Sequence, residues 1–200
     1  HSEYWTQAMR DVVEKEINEG TNLLIFGGNT AYAKTYFVDR TMNERIPYRD
    51  INQPESLFMG SQFFAVGIKK DLEVQAAQSW PFDTLGKAGK IKGIYGYEAD
   101  TAMGTKGPGV EVLARSTISP TEKGFVAMST YYAAPSGAGV LNLGTNAWVC
   151  AMANRCPWGH NFDAKTVQQI RKVTTAIIEQ AGREKIGNWR VPHIDIPTRP

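Results

Sequence analysis

Cysteine and histidine are scarce in this chain, with two Cys and three His among 200 residues. No pair of them has the spacing of a structural zinc site. Cys150 and Cys156 stand six apart in CAMANRC. They either close a small disulfide loop in an oxidising compartment or remain two free thiols, so a cytoplasmic or a secreted location turns on that pair. Charge of one sign is lacking too. The net charge is +2 and there is no Lys/Arg run, which removes the usual attraction to nucleic acid or to a membrane surface. No apolar stretch approaches the ~20 residues of a bilayer span. No secretory signal pattern is present. The chain opens at His1-Ser2-Glu3-Tyr4-Trp5 without a methionine, as expected of a fragment processed or excised from a longer protein.

Familiar catalytic signatures are also missing. There is no G-x-S-x-G elbow, no G-x-x-x-x-G-K-[ST] and no G-x-G-x-x-G after a strand. What stands in their place is NLLIFGGNTAYAKTY, residues 22–36. Leu23-Leu24-Ile25-Phe26 is a short apolar run between Gly20 and Gly27, and reads as a buried strand. Gly27 and Gly28 permit a tight turn with positive φ. That turn sets Asn29, Thr30 and Tyr32 at the carboxyl end of a strand, where open α/β sheets bind ligands. Asn29 occupies the elbow where a nucleophilic hydrolase needs Ser or Cys. Its amide can donate to an oxyanion or orient a ligand, and it cannot attack.

Along the chain, residues 6–19 read as a helix with Thr6 as N-cap and Gly20 as its C-terminal stop. Ala8, Met9, Val12, Val13 and Ile17 form its apolar stripe, with Arg10 on another face. Short strands are expected at 34–38, 45–48, 62–68, 91–95, 110–115, 125–132 and 140–143. Residues 71–89 and 101–109 read as loops, the first with Trp80-Pro81-Phe82 anchored in the core. Residues 163–179 make a second helix, capped by Asp163, with Val167, Ile170, Val173, Ile177 and Ile178 as its stripe. The sum is one α/β domain over 1–182, parallel near its start and antiparallel in its middle. Residues 183–200 follow as a tail that wraps the domain or links to another.

Three polar clusters lie beside expected strand ends or helix starts: residues 1–5, 29–32 and 95–100. In an open sheet such segments converge on one crevice. A carboxylate with two phenolates is a hard oxygen set suited to Fe³⁺. The same tyrosines also suit half-buried aromatics with a wet hydroxyl.

The clusters carry a family resemblance. His1-Ser2-Glu3-Tyr4-Trp5-Thr6 with Met9-Arg10-Asp11 resembles the H-D-E-Y-W-S…M-R-D segment of the N,N-dimethylformamidase large (beta) subunit-like C-terminal domain family. Gly27-Gly28-Asn29-Thr30-Ala31-Tyr32 resembles its G-G-N-x-x-Y, and Gly96-Tyr97-Glu98-Ala99-Asp100 its G-x-E-x-D. Leu113 to Ser116, Tyr131 to Val140 and Asn142 to Trp148 continue the match. The resemblance implies a class I glutamine amidotransferase-like (flavodoxin-like) sheet flanked by helices, with additional antiparallel strands, here missing its first strand. It also implies an amidohydrolase of small linear amides with one iron, held by Tyr4, Tyr32 and Glu98. Asn29, His1 and Ser136 are weaker candidates for orienting water or substrate. Tyr36, Tyr95 and Tyr97 compete with the two tyrosines by proximity in sequence. Ser2 stands where the family has Asp. Further domains or subunits, and a homo- or hetero-oligomer, are expected around the domain. The other expectation is a non-catalytic scaffold or binding module of the same fold in a larger, secreted multidomain protein.

Overall fold

Among the described residues, two sheets and five α-helices build a mixed α/β architecture. The computed structural model describes residues 2–75, 77–117, 126–157, 159 and 161–200. The smaller sheet has strand order β1-β3-β4: β1 (Tyr4–Trp5) runs parallel to β3 (Ala33–Val38), and β4 (Thr41–Pro47) returns antiparallel. The two-residue turn between β3 and β4 is Asp39-Arg40, both at positive φ (46° and 66°), as the twist of a tight hairpin demands.

The larger sheet has the order β2-β9-β8-β7-β5-β6. Its strands are β2 (Leu23–Ile25), β5 (Gln62–Val74), β6 (Lys90–Thr101), β7 (Glu111–Ser116), β8 (Met128–Ala133) and β9 (Gly139–Asn142). Only β2 and β9 pair in parallel; every other neighbour pair in this sheet is antiparallel. The antiparallel middle is as the sequence implies, while parallel pairing is limited to one pair per sheet. The sheet curls, so that the end of β6 meets the segment after β9. Ala99 bridges Thr145, and the Asp100 N–H donates to the Gly144 carbonyl at 3.0 Å.

Helix α1 (Gln7–Glu19) has the expected caps. The Thr6 hydroxyl accepts from the Met9 N–H, and Gly20 sits at φ 100°. Its buried face differs from the expected stripe, because Arg10 is buried while Met9 and Val12 are exposed. The Arg10 guanidinium lies between the Tyr48 and Phe58 rings, at 4.7 and 4.9 Å. It donates to the Gln53 and Pro54 carbonyls and to Glu14. A planar cation with every edge occupied is buried here at the expense of two apolar residues.

The stretch 71–74 belongs to β5 rather than to a loop. Leu72 is buried between charged Asp71 and Glu73, and that alternation is a strand's. Trp80 and Phe82 are core residues as expected. Helix α2 (Ser56–Met59) is one short turn. At the start of helix α3 (Ala147–Ala153) the Asn146 side chain makes no capping bond, and the Thr145 hydroxyl accepts from the Ala147 N–H at 3.3 Å. Helix α4 (Ala164–Arg183) is capped by Asp163 and buries Ile170, Val173 and Ile177 in the core cluster that also holds Trp148 and Leu143, with Val167 buried as well and Ile178 exposed. Phe125, expected at a strand start, lies outside the described residues. No described helix is long and apolar enough to cross a membrane.

The last residues wrap the domain. Helix α5 (Ile186–Trp189) packs on β8 and β9. Beyond it, Arg190 forks onto Glu111 with 2.6 and 2.7 Å bonds, Asp195 accepts from the Val112 N–H, and Ile196 bridges Val110. Both members of the Arg190–Glu111 pair are largely buried. Replacing Arg190 by Met leaves a buried carboxylate unpaired and is expected to cost about 3–5 kcal/mol in denaturant unfolding. The double replacement Arg190→Met/Glu111→Leu is expected to recover most of it. A loss under ~1 kcal/mol for the single variant means that the tail is not part of the cooperative unit.

Candidate functional site

The elbow after β2 reaches the site by an unexpected route. Positive φ falls on Asn29 (54°) and Ala31 (53°), and not on Gly27 or Gly28. Asn tolerates the left-handed region because its short polar side chain bonds locally. Gly28 is needed for approach: a Cβ there would lie 2.9 Å from the Glu98 carbonyl oxygen. The glycine therefore lets the elbow press against β6.

Hydrogen bonds then lock three distant segments together. Asn29 donates its backbone N–H to Asp100 Oδ1 at 2.8 Å and its amide Nδ2 to Glu98 Oε1 at 3.1 Å. Asn146 accepts from the Gly28 N–H at 2.8 Å and donates Nδ2 to Glu98 Oε2 at 2.5 Å. Asn142 donates to Asp100 Oδ2 at 3.0 Å and to Ser61 Oγ at 2.8 Å. Each oxygen of Glu98 thus receives a side-chain amide, which fixes the plane of the carboxylate. Asn29 is 2% exposed, and its Oδ1 has no partner among the described residues. Burial raises the Glu98 carboxyl above its ordinary value, against the two amide bonds. Burial likewise holds Asp100 up at about 7, with the charges of Glu55 and Glu98 adding to the rise and the bonds from Asn29 and Asn142 opposing it.

Tyr4 and Tyr32 come from adjoining chain segments. Tyr4 pairs in register with Ala33, and the Ala31 and Ala33 N–H groups donate to Ser2 and Glu3 carbonyls. The Tyr4 phenol is raised by partial burial first, then by a bond to Glu3, with the Glu98 charge contributing, so its hydroxyl is within electrostatic reach of Glu98. Arg45 lies 4.9 Å over the Tyr4 ring, and Arg49 lies 4.9 Å over the Tyr32 ring. Tyr32 also meets Phe63 edge-on at 5.6 Å, and Phe63 is in register with Asp100.

The candidate residues therefore divide. Asn29 and Glu98 are bonded to each other, and the Glu98 charge is felt at the Tyr4 phenol. Tyr32 is joined to the same region through Phe63. Ser136 is not brought there: it caps the turn at the far end of β9, donating to the Ile17 carbonyl at 2.5 Å. His1 lies outside the described residues. Tyr95 is fully buried, with its hydroxyl bonded to Ser129, and Tyr36 is exposed on the β3–β4 hairpin. Sequence reasoning assigns no role to Asp100, Asn142 or Asn146; for Asp100 and Asn142 the available signal is a polar residue near the end of a strand. Glu55 and Arg49 gave none.

Tyr4, Tyr32 and Glu98 are all hard oxygen donors, and the amides on Glu98 orient it as the outer hydrogen bonds of a metal site orient a ligand. The donor chemistry thus fits a hard cation. No group of three or more His, Cys, Asp or Glu side chains among the described residues is arranged to hold a metal. A surface groove of about 760 Å³, lined by Phe162, Val167, Arg171 and Lys172 among others, shares no residue with this cluster. Cys150 and Cys156 are both free; burial, with Cys156 alongside, pushes the Cys150 thiol up to about 12.

A family model described as N,N-dimethylformamidase beta subunit-like, C-terminal, matches residues 1–49 and 39–163 of the chain. No curated protein matches it.

Two outcomes follow from the geometry. Gly28→Ala forces a Cβ onto the Glu98 backbone and is expected to lower stability by about 1–3 kcal/mol, read as a fall in Tm. In the metal-free protein, native Asp100 keeps its proton to about pH 7, while the unfolded chain releases it near 3.8. The native state binds more protons across that window, so stability falls as pH rises from 3.8 to about 7. Asp100→Asn is expected to flatten that slope in a urea-midpoint series, from a lower baseline because one donor loses its acceptor. A slope equal to the wild type's would assign the dependence to another group.

Proposed function

The chain belongs to the N,N-dimethylformamidase beta subunit-like C-terminal family, and from that membership we propose that it hydrolyses the C–N bond of a small amide at an iron site held by Tyr4, Tyr32 and Glu98. The observation that carries the reading is the orientation of Glu98 by two side-chain amides, one on each oxygen. A ferric ion bound there would act as a Lewis acid on the amide oxygen and lower the pKa of a water. Asn29 contributes the buried Oδ1, an acceptor that can hold a water or a substrate N–H. Glu98, with its carboxyl raised by burial, is a ligand that gains from a neighbouring cation. Hydrolysis conserves atoms: water adds across the C–N bond to give a carboxylic acid and an amine.

The same membership supports a class I glutamine amidotransferase-like sheet in the longer protein. In that arrangement α1 leads into β2 and the elbow carries Asn29 in place of a thiol. The words "beta subunit" and "C-terminal" in the family's description support further domains or subunits around this one.

Metal analysis of the full-length protein tests the reading. The expected result is one iron per chain with a visible tyrosinate-to-iron absorption band. Tyr4→Phe and Glu98→Gln are each expected to lose the iron. Each is also expected to lose at least about a hundredfold in kcat/KM on N,N-dimethylformamide, read as dimethylamine release. Well-folded wild-type protein that takes up no iron would sink the proposal.

A further inference from the structure

The two tyrosines are held differently, and the difference runs through one buried carboxylate. Glu55 precedes α2 and is 0% exposed. Its Oε1 accepts from Arg49 Nη2 and from the Phe63 N–H, the latter at 3.2 Å. The same Arg49 Nη2 donates to the Phe63 carbonyl at 3.0 Å. Arg49 and Phe63 are the two groups that grip Tyr32, one on its face and one at its edge. The Tyr32 carbonyl is tied down as well, accepting from the Tyr48 N–H at 2.9 Å. Tyr4 has no such arrangement: Arg45 over its ring is exposed and forms no ion pair among the described residues.

We propose that Glu55 is a positioning residue for Tyr32, acting through Arg49 and Phe63 to fix the phenol in one orientation. The proposal rests on the amidase reading for its purpose, since that reading makes Tyr32 an iron ligand. Its geometry is independent of iron. A phenol on a loop that leaves a glycine elbow has two side-chain torsions to lose on binding a metal. A clamp tied to a buried charge removes that loss beforehand. Arg49 lays its guanidinium over the ring while Nη2 alone bridges Glu55 and the Phe63 carbonyl; a lysine keeps the charge but has no planar face to lay on the ring.

The test uses ¹³C-labelled tyrosine in the metal-free protein, with Tyr4 as internal control. In the wild type the Tyr32 ring is expected to be rigid, with an order parameter near about 0.85; in Glu55→Gln it is expected to fall to about 0.6 or below, with Tyr4 unchanged. Iron affinity is expected to fall by about tenfold or more, with a shifted absorption band. Should Glu55→Gln fail to fold, Arg49→Lys gives the same readout at a side chain that is 30% exposed, and the same loss is expected although the positive charge is kept. Equal loosening of both rings, or no change in either variant, overturns the clamp. Wild-type protein that binds no iron, but in which Glu55→Gln frees Tyr32 alone, overturns the amidase reading and supports the clamp.

Discussion

The amide-to-carboxylate bonding around Glu98 is the constraint on which the rest of the site depends. Asn29 and Asn146 come from the elbow after β2 and the start of α3, and Glu98 comes from a strand at the far edge of the same sheet. In a flat sheet these three would be far apart. The curl of β6 toward the end of β9 brings them together, and the hydrogen bonds then make that curl unique. An alternative packing would leave Glu98 or Asp100 buried without donors, which costs far more than any single contact returns. Polar groups, not apolar contacts, therefore select this closure from the many that the core would tolerate.

Around that centre the two sheets divide the work. The larger one supplies Glu98, Asp100 and Asn142 from its strands, and Asn29 and Asn146 from the segments that follow β2 and β9. The smaller one supplies Tyr4 and, just ahead of β3, Tyr32, over which β4 and the turn after it place Arg45 and Arg49. The phenols sit on the less buried element, and the acids sit on the rigid one. The surface groove lined mostly by α4 residues shares no residue with this cluster.

Much of this could be read from the residues in order. The caps of α1 and α4 were legible because Thr6, Gly20 and Asp163 act on their immediate neighbours. The elbow, and Asn29 at its tip, were legible from an apolar run ending in two glycines. Arg10 was misjudged because a helical stripe cannot show that two aromatic rings and two carbonyls, from more than thirty positions away, will receive a cation. Asn146 and Glu55 were silent for the same reason, as their roles exist only in contacts distant in sequence. Gly28 was recognised, but for the wrong property: it is the missing Cβ that matters, not the freedom of φ. Ser136 was a candidate by motif alone, and its neighbours make it a turn cap.

The parallel pairing of β2 with β9 has a temporal meaning. Gly139 donates to the Asn22 side chain across 117 positions, just beside that pairing. During synthesis the strand that carries the elbow is made early, and the strand it lies against is made only after the whole antiparallel middle. Closing so long a loop is slow compared with forming the hairpins in between. The elbow, and with it the bonds from Asn29 to Glu98 and Asp100, consequently cannot reach its native support before β9 has been made.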